Sequence, residues 1–146
     1  MATVKDLLEG KGYDVFTISR DTTLRSALQI MADKHIGALP VMEEGQIAGI
    51  FSERDFARHA VEYSDCLNLE IPVGDLMSHP VYFVSLEQTV DECMAVMTAK
   101  KLRHLPVLRE GQLIGLVSIG DVVKSQLADK QSTIELLEHF LWVNLI

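Results

Sequence analysis

Cysteine is scarce in this sequence, since Cys66 and Cys93 are the only two among 146 residues. They form no C-x-x-C pair and have no histidines at metal-ligand spacing, so neither a disulfide framework nor a zinc site is indicated. Cys93 falls on the apolar face of a predicted helix. We interpret both side chains as reduced thiols of a cytosolic protein.

Long apolar runs are also missing, because none approaches the roughly 20 residues that a membrane-spanning helix needs. Residues 1–10 mix Lys5, Asp6 and Glu9 with apolar side chains, which is not the pattern of a secretory signal. We therefore expect a cytoplasmic protein that has no membrane partner.

Basic residues are outnumbered, with 13 Lys and Arg against 21 Asp and Glu, and the formal net charge is −8. This balance argues against DNA or RNA as a partner, because affinity for a phosphate backbone comes from Lys and Arg. It leaves room for a small anionic ligand held by a few local donors. The 48% hydrophobic and 23% charged composition is that of an ordinary globular protein with one domain or two fused repeats.

An internal duplication organises the chain. Residues 21–55 align without a gap on residues 87–121, and twelve of the 35 pairs are identical, where composition alone gives roughly two. Before these stretches the offset grows from 66 to 69, so the first repeat carries three extra residues around positions 10–12. Two copies of one unit, neither of which buries its apolar face alone, are expected to pair about a pseudo-two-fold axis.

Each copy has the pattern β-α-β-β-α, which predicts an α/β (α+β) fold. Thr23 and Thr89 should begin helices with apolar positions at i, i+3, i+4 and i+7, and the first helix should end near residues 34–35 with Gly37 just beyond it. A Glu-Gly-Gln turn joins the two strands of each hairpin. The predicted strands are residues 15–18, 38–41, 47–51, 81–84, 104–107 and 113–117.

Three segments are predicted along the chain. They are a first repeat with its leading segment at residues 1–66, a second repeat at 67–129 and a C-terminal amphipathic helix at 130–146. The leading segment contains a short predicted helix at residues 3–8, which residues 73–77 echo just before the first predicted strand of the second repeat. The C-terminal helix has Ser132 and Glu135 at capping-box spacing, and packing on its own domain or a dimer contact are equally compatible with it.

The heptapeptide G-I-F-S-E-R-D, ending at Asp55, recurs as G-L-V-S-I-G-D, ending at Asp121. A lone Ser-x-x-Asp is more often a helix cap than a ligand site. Here Ser52 and Ser118 each follow a buried strand, so a rigidly fixed helix N-terminus could also hold a phosphate. The helix after Ser52 should bury its apolar positions, which are Phe56, Ala57, Ala60 and Val61.

These elements together resemble a pair of cystathionine β-synthase (CBS) domains. The resemblance rests on H-I-G-A-L-P-V and R-H-L-P-V, each followed by an E-G-Q turn and G-h-h-S-x-x-D, and it covers about residues 3–128. With no catalytic domain, transporter or channel in the sequence, the chain is similar to stand-alone bacterial CBS-pair proteins. The resemblance implies a homodimer whose inter-repeat cleft binds AMP, ADP, ATP, NAD or S-adenosylmethionine, and a regulator rather than an enzyme.

The resemblance also implies which residues bind the nucleotide. Asp55 and Asp121 would take the ribose, and Ser52 and Ser118 the phosphate. The slot for the base would lie between the first strand of a repeat and the segment before its hairpin. The implied nucleotide-binding residues are Ile18, Ile36, Gly37, Ala38, Ser52, Arg54, Asp55, Val84, Arg103, His104, Ser118 and Asp121.

The two expected sites are not equivalent. Gly120 stands where the first repeat has Arg54, the best candidate for a phosphate donor, while Arg103 and His104 replace Gly37 and Ala38. One hypothesis is that the two sites hold different ligands, such as a mononucleotide and a dinucleotide.

The leading functional interpretation is an adenine-nucleotide sensor that signals through a conformational change to an unknown regulated protein. The alternative is a structural dimerisation or protein-interaction module without a bound ligand. An enzyme is disfavoured, because no nucleophile–base pair, metal cluster or Walker-type loop is present. No catalytic cofactor and no metal are therefore expected.

Overall fold

The computed structural model describes residues 1–128, which form five α-helices, one 3₁₀ helix and two small sheets. The mixed α/β fold that the sequence predicts is confirmed. The predicted C-terminal helix lies outside the described residues. In chain order the elements are α1 (Val4–Lys11), β1 (Ile18–Ser19), α2 (Leu24–Lys34), β2 (Ala38–Glu43), β3 (Gln46–Ser52), α3 (Glu53–Glu62), a 3₁₀ helix (Val73–Asp75), α4 (Val90–Lys100), β4 (His104–Arg109), β5 (Gln112–Ser118) and α5 (Ile119–Ala128).

Each of the two sheets is built on a β-hairpin. The first sheet has the order β1-β2-β3, with β1 parallel to β2, and the second consists of β4 and β5. The hairpin loops Glu44-Gly45 and Glu110-Gly111 have positive φ at both residues, which is the type I′ geometry that suits a two-residue hairpin. The predicted turns are therefore confirmed in both repeats.

The helices that precede the hairpins begin and end in the same way. Thr23 accepts a hydrogen bond from Ser26 N, and Thr89 accepts one from Glu92 N, as N-caps do. Each helix ends at a left-handed residue, His35 with φ 54° and Lys101 with φ 57°. The first of these helices therefore ends at residues 34–35, as the sequence predicts, and the residue that terminates it is His35, two positions before Gly37.

The first predicted strand of each repeat is much shorter than expected. Of residues 15–18, only Ile18 pairs, in parallel with Val41, and of residues 81–84 only Val84 forms an isolated bridge, with Val107. In the parallel register, the residue before Ile18 lies beside Pro40, and the residue before Val84 lies beside Pro106. Proline has no N–H to donate, so the ladder cannot extend in that direction.

The buried face of α3 also differs from the prediction. Ala57 and Val61 are exposed, while Asp55 and His59, four residues apart, are buried. The His59 ring packs against Tyr63, with the ring centroids 4.8 Å apart. The capping interactions turn the Asp55 side chain toward the protein interior. His59 lies one turn further along the same face of the helix and is therefore buried as well.

The hydrophobic residues form two cores, and each core combines both halves of the chain. Val4 and Leu8 of α1 are fully buried in the core of the second repeat. In the same way, Val73 and Met77 belong to the core of the first repeat. Each repeat is therefore completed by the segment that leads into the other one, and neither has a whole core of its own.

Backbone hydrogen bonds hold these exchanged segments in place. Val4 N donates to Gln88 O over 2.8 Å, and Val73 N donates to Thr22 O over the same distance. Each bond joins the start of a leading segment to the residues just before the helix of the other repeat. The exchange thus obeys the pseudo-two-fold relation between the repeats.

Cys93 lies in the second core and is buried, whereas Cys66 is exposed, and both are free thiols. Burial raises the pKa of the Cys93 thiol to about 11, so this side chain is protonated at neutral pH and acts as an apolar packing residue. Within residues 1–128, no helix has the length and hydropathy needed to cross a membrane.

Glycines at one position of each repeat allow the leading segments to pack closely. A Cβ atom at Gly49 would overlap with Met77 Sδ and lie 3.0 Å from the Ser78 carbonyl oxygen. A Cβ atom at Gly115 would lie 2.6 Å from Leu8 Cδ1. The repeated heptapeptide therefore begins with glycine because a leading segment packs directly on its backbone at this position.

We predict that Gly49→Ala lowers the free energy of unfolding by roughly 1–3 kcal/mol, the usual effect of overpacking a filled core. Ser78 cannot move away easily, because its backbone pairs with Ile50 through two hydrogen bonds. Urea denaturation followed by circular dichroism would measure the change.

Gly10→Ala is the matched control for this prediction. Gly10 lies in α1, and a Cβ atom there would meet nothing within 4 Å. The control should be neutral or stabilising by up to about 1 kcal/mol, because alanine favours a helix over glycine. Equal stability of the two variants would contradict the packing explanation.

Candidate functional site

A cavity lies where the first hairpin and α3 face the end of α4 and the start of β4. Its walls come from both repeats and from the segment that follows the 3₁₀ helix. The lining residues are Gly37, Ala38, Ile50, Ser52, Glu53, Arg54, Asp55, Ser78, Lys101, Leu102, Arg103 and His104. We call this cavity the cleft.

The structure brings seven of the twelve predicted nucleotide-binding residues together around the cleft. These seven are Gly37, Ala38, Ser52, Arg54, Asp55, Arg103 and His104. Of the other five, Ile18 and Val84 are buried in the two cores, and Ile36 packs against the first core. Ser118 and Asp121 lie at the N-terminus of α5, the pseudo-equivalent position in the second repeat.

Ser52 and Asp55 form a complete capping box at the start of α3. Asp55 Oδ2 accepts hydrogen bonds from Ser52 N over 2.8 Å and from Ser52 Oγ over 3.0 Å. Asp55 N donates to Ser52 Oγ over 3.3 Å. Ser78 Oγ donates to the second carboxylate oxygen, Oδ1, over 2.8 Å. The Asp55 carboxylate is therefore buried and held rigidly at the edge of the cleft.

Gly37 lies in the cleft at a contact between the two repeats. Its carbonyl oxygen accepts a hydrogen bond from Glu53 N over 3.0 Å, and the pseudo-equivalent Arg103 carbonyl accepts one from Ile119 N over 2.8 Å. A Cβ atom at Gly37 would lie 3.4 Å from His104 Cε1. A Glu53 carboxylate oxygen lies at the same distance, so this glycine borders both repeats.

Positive charge is concentrated in the cleft, although the chain as a whole is acidic. Arg54, Lys101 and Arg103 line it, against the carboxylates of Glu53 and Asp55. Arg54 Nη1 donates to the carbonyl oxygen of Lys101 over 3.0 Å, which joins α3 to the end of α4. This bond fixes the guanidinium at the cleft, where its other N–H groups suit an anion.

His104 contributes a neutral imidazole to the cleft. Burial lowers the pKa of His104 below its ordinary value, although the nearby Glu53 carboxylate opposes that shift. The ring is therefore uncharged at pH 7 and has one donor and one acceptor nitrogen.

A second cavity continues from the cleft along the start of the second repeat. Residues 79–82 and Pro106 line it, and it shares Ile50, Ser78, Leu102 and His104 with the cleft. Tyr82 at its edge is half exposed, with Lys100 Nζ 5.1 Å from the ring centroid. The two cavities together form a concave surface with an apolar part beside a cationic part.

The second Ser-x-x-Asp is also a helix cap, but a different donor reaches it. Asp121 Oδ2 accepts hydrogen bonds from Ser118 N over 2.8 Å and from Lys11 Nζ over 2.6 Å. Burial alone would raise the pKa of the Asp121 carboxyl, but the hydrogen bonds and charge of Lys11, together with the Ser118 donors, hold it below its ordinary value.

The sequence did not identify Ser78, Lys101 or Lys11 as neighbours of the site. Lys101 could have been found, because it follows the predicted helix and stands two residues before Arg103. Ser78 and Lys11 could not, because nothing in the pattern of the repeats shows that each leading segment crosses to the other repeat. Among residues 1–128, no group of three or more His, Cys, Asp or Glu side chains is arranged to hold a metal ion.

Comparisons with known proteins show which family has this architecture. The sequence profile of the CBS domain matches residues 4–62 and 73–128. The chain is 30% identical over 148 residues to the mitochondrial CBS domain-containing protein CBSX3 of Arabidopsis thaliana, and the alignment covers 95% of this chain and 71% of that protein.

Solved structures agree with the sequence comparison. A protein with CBS domains from Burkholderia ambifaria MC40-6 is 43% identical and superposes with a TM-score of 0.83, covering 89% of this chain and 97% of that one. The structure of CBSX2 in complex with AMP is 25% identical and superposes with a TM-score of 0.74, covering 90% of this chain and all of that one. The chain therefore belongs to the CBS-domain family, and its two repeats form a CBS domain pair.

Proposed function

We propose that this chain is a regulatory module that binds an adenine nucleotide of the AMP, ADP, ATP or NAD type in the cleft. Binding alters the relative position of the two repeats, and an unidentified partner protein responds to the change in shape. The module is cytoplasmic, carries out no catalysis and needs no catalytic cofactor. The observation that carries the proposal is the cluster of cations beside a rigidly capped helix N-terminus.

The chemistry of the cleft supports a nucleotide as the ligand. The N-terminus of α3 favours an anion through its dipole, and Arg54, Lys101 and Arg103 add full charges for a phosphate. Asp55 offers carboxylate oxygens to a ribose diol, with the Ser78 hydroxyl as a bond that a ligand hydroxyl can replace. The apolar cavity along residues 79–82 has the shape and chemistry for a base.

The comparisons support the adenosine part of the proposal. CBSX2, which is 25% identical to this chain, has been solved in complex with AMP. The cleft of this chain has cationic, hydroxyl and apolar groups in an order that fits a phosphate, a ribose and a base. A mononucleotide is therefore the first ligand to test.

The position of the cleft supports a regulatory role. Its walls belong to both repeats, and Arg54 already joins them through its bond to Lys101. A ligand that contacts both walls binds best to one relative orientation of the repeats. It then shifts the population toward that orientation by its difference in affinity for the two shapes.

The alternative function is a structural dimerisation or protein-interaction module without a ligand. The capping boxes favour it, because Ser52 and Asp55 already have a complete structural role in α3. The two functions differ in one measurable property, which is the binding of nucleotide to the cleft.

We predict that AMP binds to the purified protein and that adenosine binds more weakly, because only AMP has a phosphate for the cations of the cleft. Isothermal titration calorimetry with AMP, ADP, ATP and NAD would measure the affinities. Native mass spectrometry of the freshly purified protein would detect nucleotide that is already bound. If none of these nucleotides binds, the structural module is the better description.

We further predict that Arg54→Gln weakens AMP binding by roughly tenfold or more, since a hydrogen bond to a charged group is worth about 1.5–3 kcal/mol. The same substitution should leave adenosine binding nearly unchanged. Arg25→Gln is the matched control, because it removes the same charge from an arginine that pairs with Glu70 on the surface. Equal losses for AMP and adenosine would show that Arg54 only supports the fold.

We also propose that the chain assembles as a homodimer, in which α5 contributes apolar side chains. Ile119 and Val123, one turn apart on this helix, are 38% and 46% exposed. Val123→Glu should therefore increase the monomer fraction in sedimentation velocity, and the adjacent Lys124→Glu should not. A wild-type chain that is monomeric at high micromolar concentration would refute the dimer.

A further inference from the structure

The two capped carboxylates differ in the donor that reaches each of them from outside its own repeat. Asp55 accepts a bond from the neutral hydroxyl of Ser78 over 2.8 Å. Asp121 accepts a bond from the ammonium group of Lys11 over 2.6 Å. Both donors belong to the leading segments that cross between the repeats. Asp55 also has a cation of its own helix nearby, because Nη1 of the exposed Arg58 lies 3.7 Å from Asp55 Oδ1. The pseudo-symmetry is therefore broken in the charge of the donor that crosses from the other repeat.

The length of the leading segments accounts for this difference. Leu8 and Met77 are equivalent, because each packs against the glycine of a repeated heptapeptide. Ser78 follows Met77 directly, whereas α1 continues for almost one turn beyond Leu8 and ends at Lys11. The extra residues of the first leading segment thus carry a lysine to the N-terminus of α5.

Lys11 is held firmly where it meets Asp121. Its ammonium group also donates to the Leu116 carbonyl oxygen over 2.9 Å, so two acceptors of the second repeat fix it. Leu8, one turn earlier on α1, is fully buried in the second core and anchors the helix. The side chains of Lys11 and Asp121 are 38% and 21% exposed, so the carboxylate of this ion pair is partly buried while the lysine is in contact with solvent.

A ligand would have to displace these donors at different cost. At Asp55, a ribose hydroxyl replaces the Ser78 hydroxyl, which exchanges one neutral donor for another. At Asp121, it would replace an ammonium group, which adds the attraction between two opposite full charges to the hydrogen bond. Separating the pair would also leave a partly buried carboxylate without its cation.

Other features of the Ser118–Asp121 site also disfavour a bound nucleotide. Gly120 stands where the first repeat has Arg54, so the first turn of α5 offers no guanidinium for a phosphate. Within the part of the chain that the structure describes, Asp121 lines neither the cleft nor the cavity that continues from it.

We propose that Lys11 closes the Ser118–Asp121 site to nucleosides, so that the chain binds one adenine nucleotide, at the Asp55 site. This inference rests on the proposed function and adds its stoichiometry and the residue that determines it. It replaces the expectation of a different ligand in each site with one open site and one site closed by the chain itself.

The test is the number of AMP molecules bound per chain in calorimetric titration. The wild-type chain should bind one, and Lys11→Met, which keeps the apolar stem but removes the charge, should bind two. Lys5→Met is the matched control, because Lys5 lies on the same helix and reaches only the exposed Glu9. This control should bind one.

A second substitution assigns the sites. Asp55→Asn should abolish AMP binding in the wild-type background and leave one molecule per chain in the Lys11→Met background. Backbone NMR shifts should report the same result, with Ser118 and Asp121 amides responding to AMP only when Lys11 is absent. Thermal unfolding of each variant would show that the protein is folded during the titration.

The outcomes separate this inference from the proposed function. Two AMP molecules per wild-type chain, or one per Lys11→Met chain, would overturn the role of Lys11 and leave the nucleotide module intact. Loss of a bound AMP on Lys11→Met would overturn it too, because Lys11 would then be a ligand contact. The absence of binding to every variant would overturn the proposed function itself.

Discussion

The exchange of leading segments between the two repeats is the constraint on which the rest of the structure depends. Each core is closed by a helix or turn that precedes the other repeat, and Leu8 and Met77 pack directly on the backbone of Gly115 and Gly49. Because these contacts hold the repeats together from both sides, residues of both repeats line the cleft between them. The same exchange brings Ser78 and Lys11 to carboxylates that their own repeats do not contain.

The Ser-x-x-Asp pattern shows how a structural role and a binding role can share one set of atoms. The capping box satisfies the amides at the start of α3 and immobilises Asp55 without any ligand. A carboxylate that is already oriented loses little entropy when it binds, and this is what a preorganised site requires. The cap is therefore compatible with a nucleotide site as well as with a purely structural role, and the cations around it are what favour an anion.

Much of the fold could be predicted because the two repeats confirm each other. Caps at Thr23 and Thr89 and turns at Gly45 and Gly111 depend on local chemistry, which recurs at a constant offset. The strands at residues 15–18 and 81–84 were overestimated, because β-propensity alone does not reveal that the facing position is a proline. The sequence could place Asp55 and Arg54 at the cleft because both lie within the recognisable Ser-x-x-Asp segment. The sequence could not predict a contact that depends on which leading segment crosses to the other repeat, such as the contact of Lys11 with Asp121.

Some of the differences between the repeats lie around the two carboxylates. The turn residues, the Leu-Pro-Val segments and the Ser-x-x-Asp capping pairs are identical, whereas Gly37 and Arg103, and Arg54 and Gly120, differ. The donors from the leading segments also differ, with Ser78 at Asp55 and Lys11 at Asp121. The core and the caps serve the fold in both copies, so the same physical demands act on each. At the cleft edge the demands diverge: the first copy has a guanidinium and a neutral donor, and the second has an internal ion pair. A duplicated unit can in this way keep one binding site open while an ion pair closes the other site. The shape of the protein then responds to one ligand.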